Sequence, residues 1–126
     1  MSRKLTTHIE NYLEIIYLLE KEHEHAHVRD IAERMKIKMP SVTEILRKLK
    51  EAKLIKYRKY GFVTLTRKGS RLAQNIYKRH KILYKFLHNI LGVDGETAEE
   101  DACKIEHLIN LKTLNKLRKF MESYKL

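Results

Sequence analysis

Apolar residues recur at helical spacing along nearly the whole of this chain, and very little in it can break that period. Of its 126 residues one is proline and four are glycine. Long helices joined by short turns are what such a chain can build. The period fails clearly only over residues 54–66. There Leu54 to Arg58 and Phe62 to Thr66 are short runs rich in β-branched and aromatic residues, parted by Lys59-Tyr60-Gly61. Two strands and a turn are expected, with Gly61 free to take positive φ.

On the N-terminal side, Ile9, Tyr12, Leu13, Ile16 and Leu19 form one stripe, which predicts a helix from about Thr7 to Glu22. Thr6 or Thr7 can cap it, and Glu10 stands where a capping box after Thr7 would need it. Asn11 and Glu14 lie one turn apart beside the stripe and read, from spacing alone, as solvated positions. His23-Glu24-His25-Ala26-His27 follows between helices, where no scaffold fixes three imidazoles, so an exposed loop is expected rather than a metal site. Val28 to Met35 reads as a short helix with Ile31, Ala32 and Met35 inward. Pro40 disfavours helix at Met39 but suits the first turn of the next helix, expected from Pro40 to Ala52. Val42, Ile45, Leu46 and Leu49 face inward there, leaving Ser41, Thr43, Glu44, Arg47, Lys48 and Lys50 outside. Two short helices, a tight turn and a following hairpin spell a winged helix-turn-helix, whose second helix enters the DNA major groove.

Charge agrees with that reading. The net charge is +11. From Arg34 to Lys59 only Glu44 and Glu51 oppose a run of lysines and arginines, a distribution that attracts a phosphate backbone. Lys38, Pro40, Ser41, Thr43, Arg47 and Lys48 around the second helix, with Arg58 and Lys59 at the wing tip, are the expected DNA contacts. No apolar run approaches the ~18 residues of a membrane span, and the N-terminus carries no signal-peptide core. The single cysteine excludes an internal disulfide, so a reducing cytoplasmic setting is expected.

Beyond the wing, Thr66 can cap a long helix to about Leu91, with Leu72, Ile76, His80, Leu83, Leu87 and Ile90 in line. A histidine on such a line is ordinarily a packed core residue unless other ligands face it. Gly92 stops this helix. Glu96-Thr97 opens a fifth helix running to about Asn110, and a sixth covers Lys112 to Tyr124. The fifth carries Cys103, Glu106 and His107 at i, i+3 and i+4, which on a helix share one face. Thiolate, carboxylate and imidazole all ligate divalent first-row metals, and the sulfur biases the set toward softer ions.

Taken together, these segments resemble the diphtheria toxin repressor and manganese transport regulator family of metal-dependent transcriptional repressors. The likeness rests on Glu10-Asn11-Tyr12-Leu13-Glu14 with Ile16-Tyr17, Val28 to Ala32, Pro40-Ser41-Val42-Thr43, Leu65-Thr66 with Lys68-Gly69, Arg79-His80, Leu91-Gly92-Val93-Asp94 and Cys103-x-x-Glu106-His107. It implies a mainly α chain, with a winged helix-turn-helix DNA-binding domain over residues 1–72. A helical metal-binding and dimerisation domain would follow over 73–126, without the family's optional SH3-like domain. It implies one metal site from Asn11, Cys103, Glu106 and His107, and a second from Glu14, His80 and Glu106, with position 103 possibly shared. Departures are visible too. Position 11 is methionine in the iron branch and aspartate in the manganese branch, but asparagine here. Cys103 sides with the iron branch, while Tyr84 and Glu99 replace an acidic residue and a histidine of that branch's ancillary site.

The function so implied is repression by a homodimer on a pseudo-palindromic operator in double-stranded DNA, with a divalent metal as corepressor. Iron(II) is expected first and manganese(II) second, with zinc(II) or cobalt(II) possible. A metal-independent architectural DNA-binding protein is the alternative. A metallohydrolase ranks third, because no further acid or base accompanies the cluster in the sequence.

Overall fold

In a computed structural model of the chain, which describes residues 6–58 and 61–124, the period-3.6 segments are helices and the interrupted stretch is a small sheet. The chain divides into two units, Met1–Gln74 and Asn75–Leu126.

The first unit opens with α1, Thr7–His23. Thr6 is its cap, accepting from the Ile9 amide at 3.2 Å, so the pairing of Thr7 with Glu10 is not the box that starts the helix. Tyr12, Leu13, Ile16 and Leu19 are buried, as the stripe requires. Glu14 is buried as well, 7 % exposed, where spacing alone made it a solvated position. The histidine tract is not a loose loop. Ala26–His27 forms β1, a two-residue strand paired antiparallel with the wing through Ala26↔Val63 and His27↔Phe62. The half-buried rings of His25 and His27 pack on Phe62 at 4.4 and 4.5 Å. Ladder hydrogen bonds and an aromatic partner supply an order that composition cannot show.

Helix α2, Val28–Met35, ends on Lys36 in the left-handed region, its amide bonded to the carbonyls of Ala32 and Glu33. After a short turn α3 runs Met39–Glu51, with Pro40 in the first turn, where a missing N–H costs nothing. Val42, Leu46 and Leu49 are buried; Ile45 is half-buried. The wing is β2, Ile55–Tyr57, and β3, Phe62–Leu65, joined through Gly61 at φ +75°. The sheet order is β1-β3-β2. A carboxylate oxygen of Glu20 on α1 accepts from the Leu65 amide at 2.9 Å, satisfying a strand donor from the helix.

Helix α4 runs Arg67–Lys85. Thr66 caps it as expected: its hydroxyl accepts from the Gly69 amide at 3.1 Å and donates to the Lys53 carbonyl at 2.7 Å. Gly69 is required there, because a Cβ would stand 1.9 Å from the Leu54 carbonyl oxygen.

In the second unit, α4 continues into a π-turn over Phe86–Ile90, ahead of Gly92 at φ +77°. Helix α5, Gly95–Ile105, is capped by Asp94, whose carboxylate accepts from the Thr97 amide at 3.0 Å. It starts one residue before Glu96 and stops well short of Asn110. The reason lies in Asn110 itself, which is the N-cap of α6 (Leu111–Ser123), its side chain accepting from the Lys112 amide. A side chain that competes for backbone donors favours a new helix start over continuation of the old one. Leu83, Ala102 and Leu114 form the core of this unit, with Ile82, Leu87, Ile105 and Leu117 packed around them.

Candidate metal centre

His80 faces inward on α4 between the buried Ile76 and Leu83. Opposite it, α5 presents Glu99 and Cys103 one turn apart, and Glu106 follows at the helix's C-terminal cap with αR backbone angles. The i, i+4, i+7 spacing therefore survives the early end of the helix and lays the three side chains along one face. The imidazole is held from both ends. Its Nδ1 lies 2.7 Å from Oε1 of Glu106 and 3.8 Å from the Cys103 sulfur. Its Nε2 lies 3.0 Å from Oε2 of Glu99. Cys103, which is exposed, opens the cluster to solvent, whereas His80 is 6 % exposed and Glu106 fully buried.

Those contacts explain the charge state of the ring. Cys103 first, then Glu106 and Glu99, hold the His80 imidazolium against the cost of burial, pushing its pKa up from the usual 6.5 to about 11. A carboxylate with no solvent around it is thereby neutralised by a proton.

The other oxygen of Glu106, Oε2, is buried with no hydrogen-bond partner. Burying an unpaired carboxylate oxygen costs enough that native proteins seldom tolerate it without a ligand or function. His107, its side chain 1 % exposed, places Nε2 3.8 Å from that same oxygen. One ligand atom each from His80, Cys103 and Glu106 fall within 4.8 Å of one another. Sulfur, nitrogen and oxygen donors gathered around a buried carboxylate with one oxygen left without a hydrogen bond fit a divalent transition ion.

Of the metal ligands expected from the sequence, His80, Cys103, Glu106 and His107 are thus brought together in one unit. Asn11 and Glu14 lie on α1 in the other unit, Asn11 half-buried and Glu14 buried. Glu99 is the residue that sequence reasoning passed over. It was weighed only as the loss of a family histidine, although its spacing of four from Cys103 already put it on the ligand face.

The expected DNA contacts Lys38, Pro40, Ser41, Thr43, Arg47 and Lys48 are all exposed along the start and outer face of α3. The Thr43 hydroxyl donates to the Met39 carbonyl at 3.0 Å. Arg47 pairs with Glu44 and Glu51 on its own helix, which gives Glu44 a partner of its own. Exposed pairs of this kind contribute little and are screened by solvent, so they are little obstacle to exchange for a phosphate. Arg58 is exposed at the end of β2. Lys59 lies outside the described residues.

Comparison with known proteins agrees with this geometry. Residues 4–63 match a family model described as the iron dependent repressor N-terminal DNA binding domain. Residues 66–125 match that of the iron dependent repressor metal binding and dimerisation domain. An uncharacterized HTH-type transcriptional regulator of Methanocaldococcus jannaschii is 40% identical over 118 residues, 93% of this chain and 94% of that protein. The HTH-type transcriptional regulator MntR of Bacillus subtilis is 36% identical over 112 residues, 89% and 78% of the two chains. Among solved structures, the manganese regulator SloR superposes with a TM-score of 0.78 at 33% identity, over 94% of this chain and 55% of its own. T. acidophilum IdeR gives 0.83 at 25% identity, over 96% and 56%. The chain thus spans about half the length of those two structures. Its relatives are transcriptional regulators, and the metallohydrolase reading falls away. A winged helix-turn-helix fold, a thiol-bearing cluster of side chains able to ligate a metal, and matches running almost end to end lead to one conclusion: this chain belongs to the diphtheria toxin repressor and manganese transport regulator family of metal-dependent transcriptional repressors.

Proposed function

We propose that the chain is a DNA-binding repressor for which a divalent transition metal, iron(II) before manganese(II), is the corepressor. The observation that carries this reading is the buried Glu106 carboxylate, whose Oε1 meets His80 next to Cys103 while Oε2, near His107, has no hydrogen-bond partner. Cys103, Glu106 and His107 with Asn11 would hold one ion, and His80 and Glu106 with Glu14 a second. When bound, such an ion would supply positive charge in place of the His80 proton, with the residues named above holding it. Thiolate and imidazole donors favour iron(II), cobalt(II) or zinc(II) over manganese(II). Because intrinsic affinity ranks zinc above iron, availability in the cell decides between them.

Leu108, Leu111, Phe120 and Tyr124 are exposed along α6 and at its two flanks, apolar side chains suited to a homodimer contact. Two recognition helices related by a two-fold axis would read half-sites ~34 Å apart or a multiple of it. A metal held by these ligands would favour the arrangement with that spacing and so raise DNA affinity without touching DNA.

The His80 ring already has protein partners at both nitrogens, which is the one observation favouring a metal-independent DNA-binding protein with a structural cluster. Gel shifts on a random-sequence DNA pool with iron(II), manganese(II), zinc(II) or chelator separate the two. Retention of a selected site only with metal supports corepression; equal retention under chelator supports the alternative.

A further inference from the structure

The metal reading leaves one close contact unused, that between Glu99 and the far side of the His80 ring. We propose that Glu99 is a positioning residue for the metal centre. By accepting a hydrogen bond from Nε2 it fixes the ring in the tautomer that offers Nδ1 to the ion. The proposal rests on the metal-binding reading given above.

An imidazole that ligates through one nitrogen must carry its proton on the other, and that N–H needs an acceptor if it is buried. His80 is buried on α4, and its Nδ1 is the nitrogen that faces Cys103 and Glu106. Its Nε2 points the opposite way, and the acceptor found there is Glu99 at 3.0 Å. Tyr77 lies nearly parallel to the ring, its plane 7° away with the centroids 6.2 Å apart. A carboxylate behind a ligating histidine fixes its orientation and raises its basicity.

Two features argue against other roles. An ordinary surface ion pair has both ends in water; here the side chains are 57% exposed for Glu99 and 8% for His80. A direct ligand would lie among the donors, yet the atoms that converge within 4.8 Å belong to His80, Cys103 and Glu106 and do not include Glu99. Its place on α5, four residues before Cys103, sets it behind the ring rather than over the gap.

The test uses the full chain with cobalt(II) as the probe. Affinity is measured by chelator competition, coordination by the visible d–d and near-ultraviolet thiolate-to-cobalt bands, and the ring tautomer by histidine 15N shifts of the zinc-loaded protein. Glu99→Ala should weaken cobalt about 10- to 100-fold while leaving both sets of bands in place, and Glu99→Asp should recover part of the loss. Cys103→Ala, by contrast, should abolish the thiolate band. Unchanged cobalt affinity and 15N shifts in Glu99→Ala would reduce the contact to a surface ion pair and overturn the proposal. So would a change in d–d intensity that makes Glu99 itself a ligand. Should Glu99→Ala fold poorly by circular dichroism, Glu99→Leu, which keeps the bulk but offers no acceptor, carries the same comparison. If the wild-type chain takes up no cobalt at all, the metal reading fails first and this inference with it.

Discussion

A protonated histidine inside a cluster of metal-ligating side chains has a direct consequence for pH. The folded pKa of His80 is raised from about 6.5 to about 11, chiefly by Cys103 and Glu106. A raised pKa stabilises the fold fully below the unfolded value, and the benefit is lost as pH climbs through the folded one. The metal-free protein should therefore lose stability between about pH 6.5 and 11, which urea titrations at fixed salt would register. A metal at Nδ1 must displace that proton, so across the same window its affinity should rise about tenfold per pH unit from this group alone. Cobalt titrations between pH 6.5 and 8 check the slope, and a flat profile would mean that His80 is not a ligand. Cys103→Ala and His107→Ala should each still fold but lose metal-stimulated DNA binding; a normal metal response in either would remove that residue from the site. At this scale the sequence was informative where spacing suffices. Cys103, Glu106 and His107 could be placed on one face from one helical turn, and His80 on the inward line of α4, while its part in a ligand set came only through the family resemblance. The burial of Glu14 and the contact of Glu99 with His80 depend on what packs opposite, which no local spacing contains.

Elements were legible to the extent that their ends are made by local chemistry. Thr66, Gly61 and Gly92 mark boundaries through donors or positive φ and act where the sequence put them, while Pro40 stands in the first turn of α3 with Met39 already helical ahead of it. Strand β1 was invisible because two residues carry no period, and it exists only through pairing with β3. The end of α5 was misjudged because the apolar stripe continues through Ile109 while Asn110 has begun α6. Gly69 sits where the first turn of α4 approaches the chain leading into β2. The glycine is explained by the Leu54 carbonyl oxygen and not by its backbone angles. Gly69→Ala should therefore cost about 1–3 kcal/mol, the usual range for an overpacked contact, as a lower urea midpoint with an unchanged slope. A midpoint equal to wild type would mean the two segments part easily, and that the wing is less tightly seated than the contact suggests.

For the whole molecule, the two units divide the chemistry. One carries α3 and the wing with an exposed basic face; the other carries the cluster of His80, Cys103 and Glu106. No described helix is long and apolar enough to cross a membrane, and the apolar surface left exposed near α6 suits a second copy of the chain. Regulation in this account is a coupling between metal and DNA, worth ~1–3 kcal/mol in typical allosteric proteins. Fluorescence anisotropy on a DNA site selected by the chain, with saturating iron(II) under anaerobic conditions or with chelator at the same ionic strength, measures that coupling directly. Metal should tighten binding about 5- to 150-fold. Equal affinity in the two conditions would contradict the account and leave a winged-helix protein that binds DNA without a corepressor.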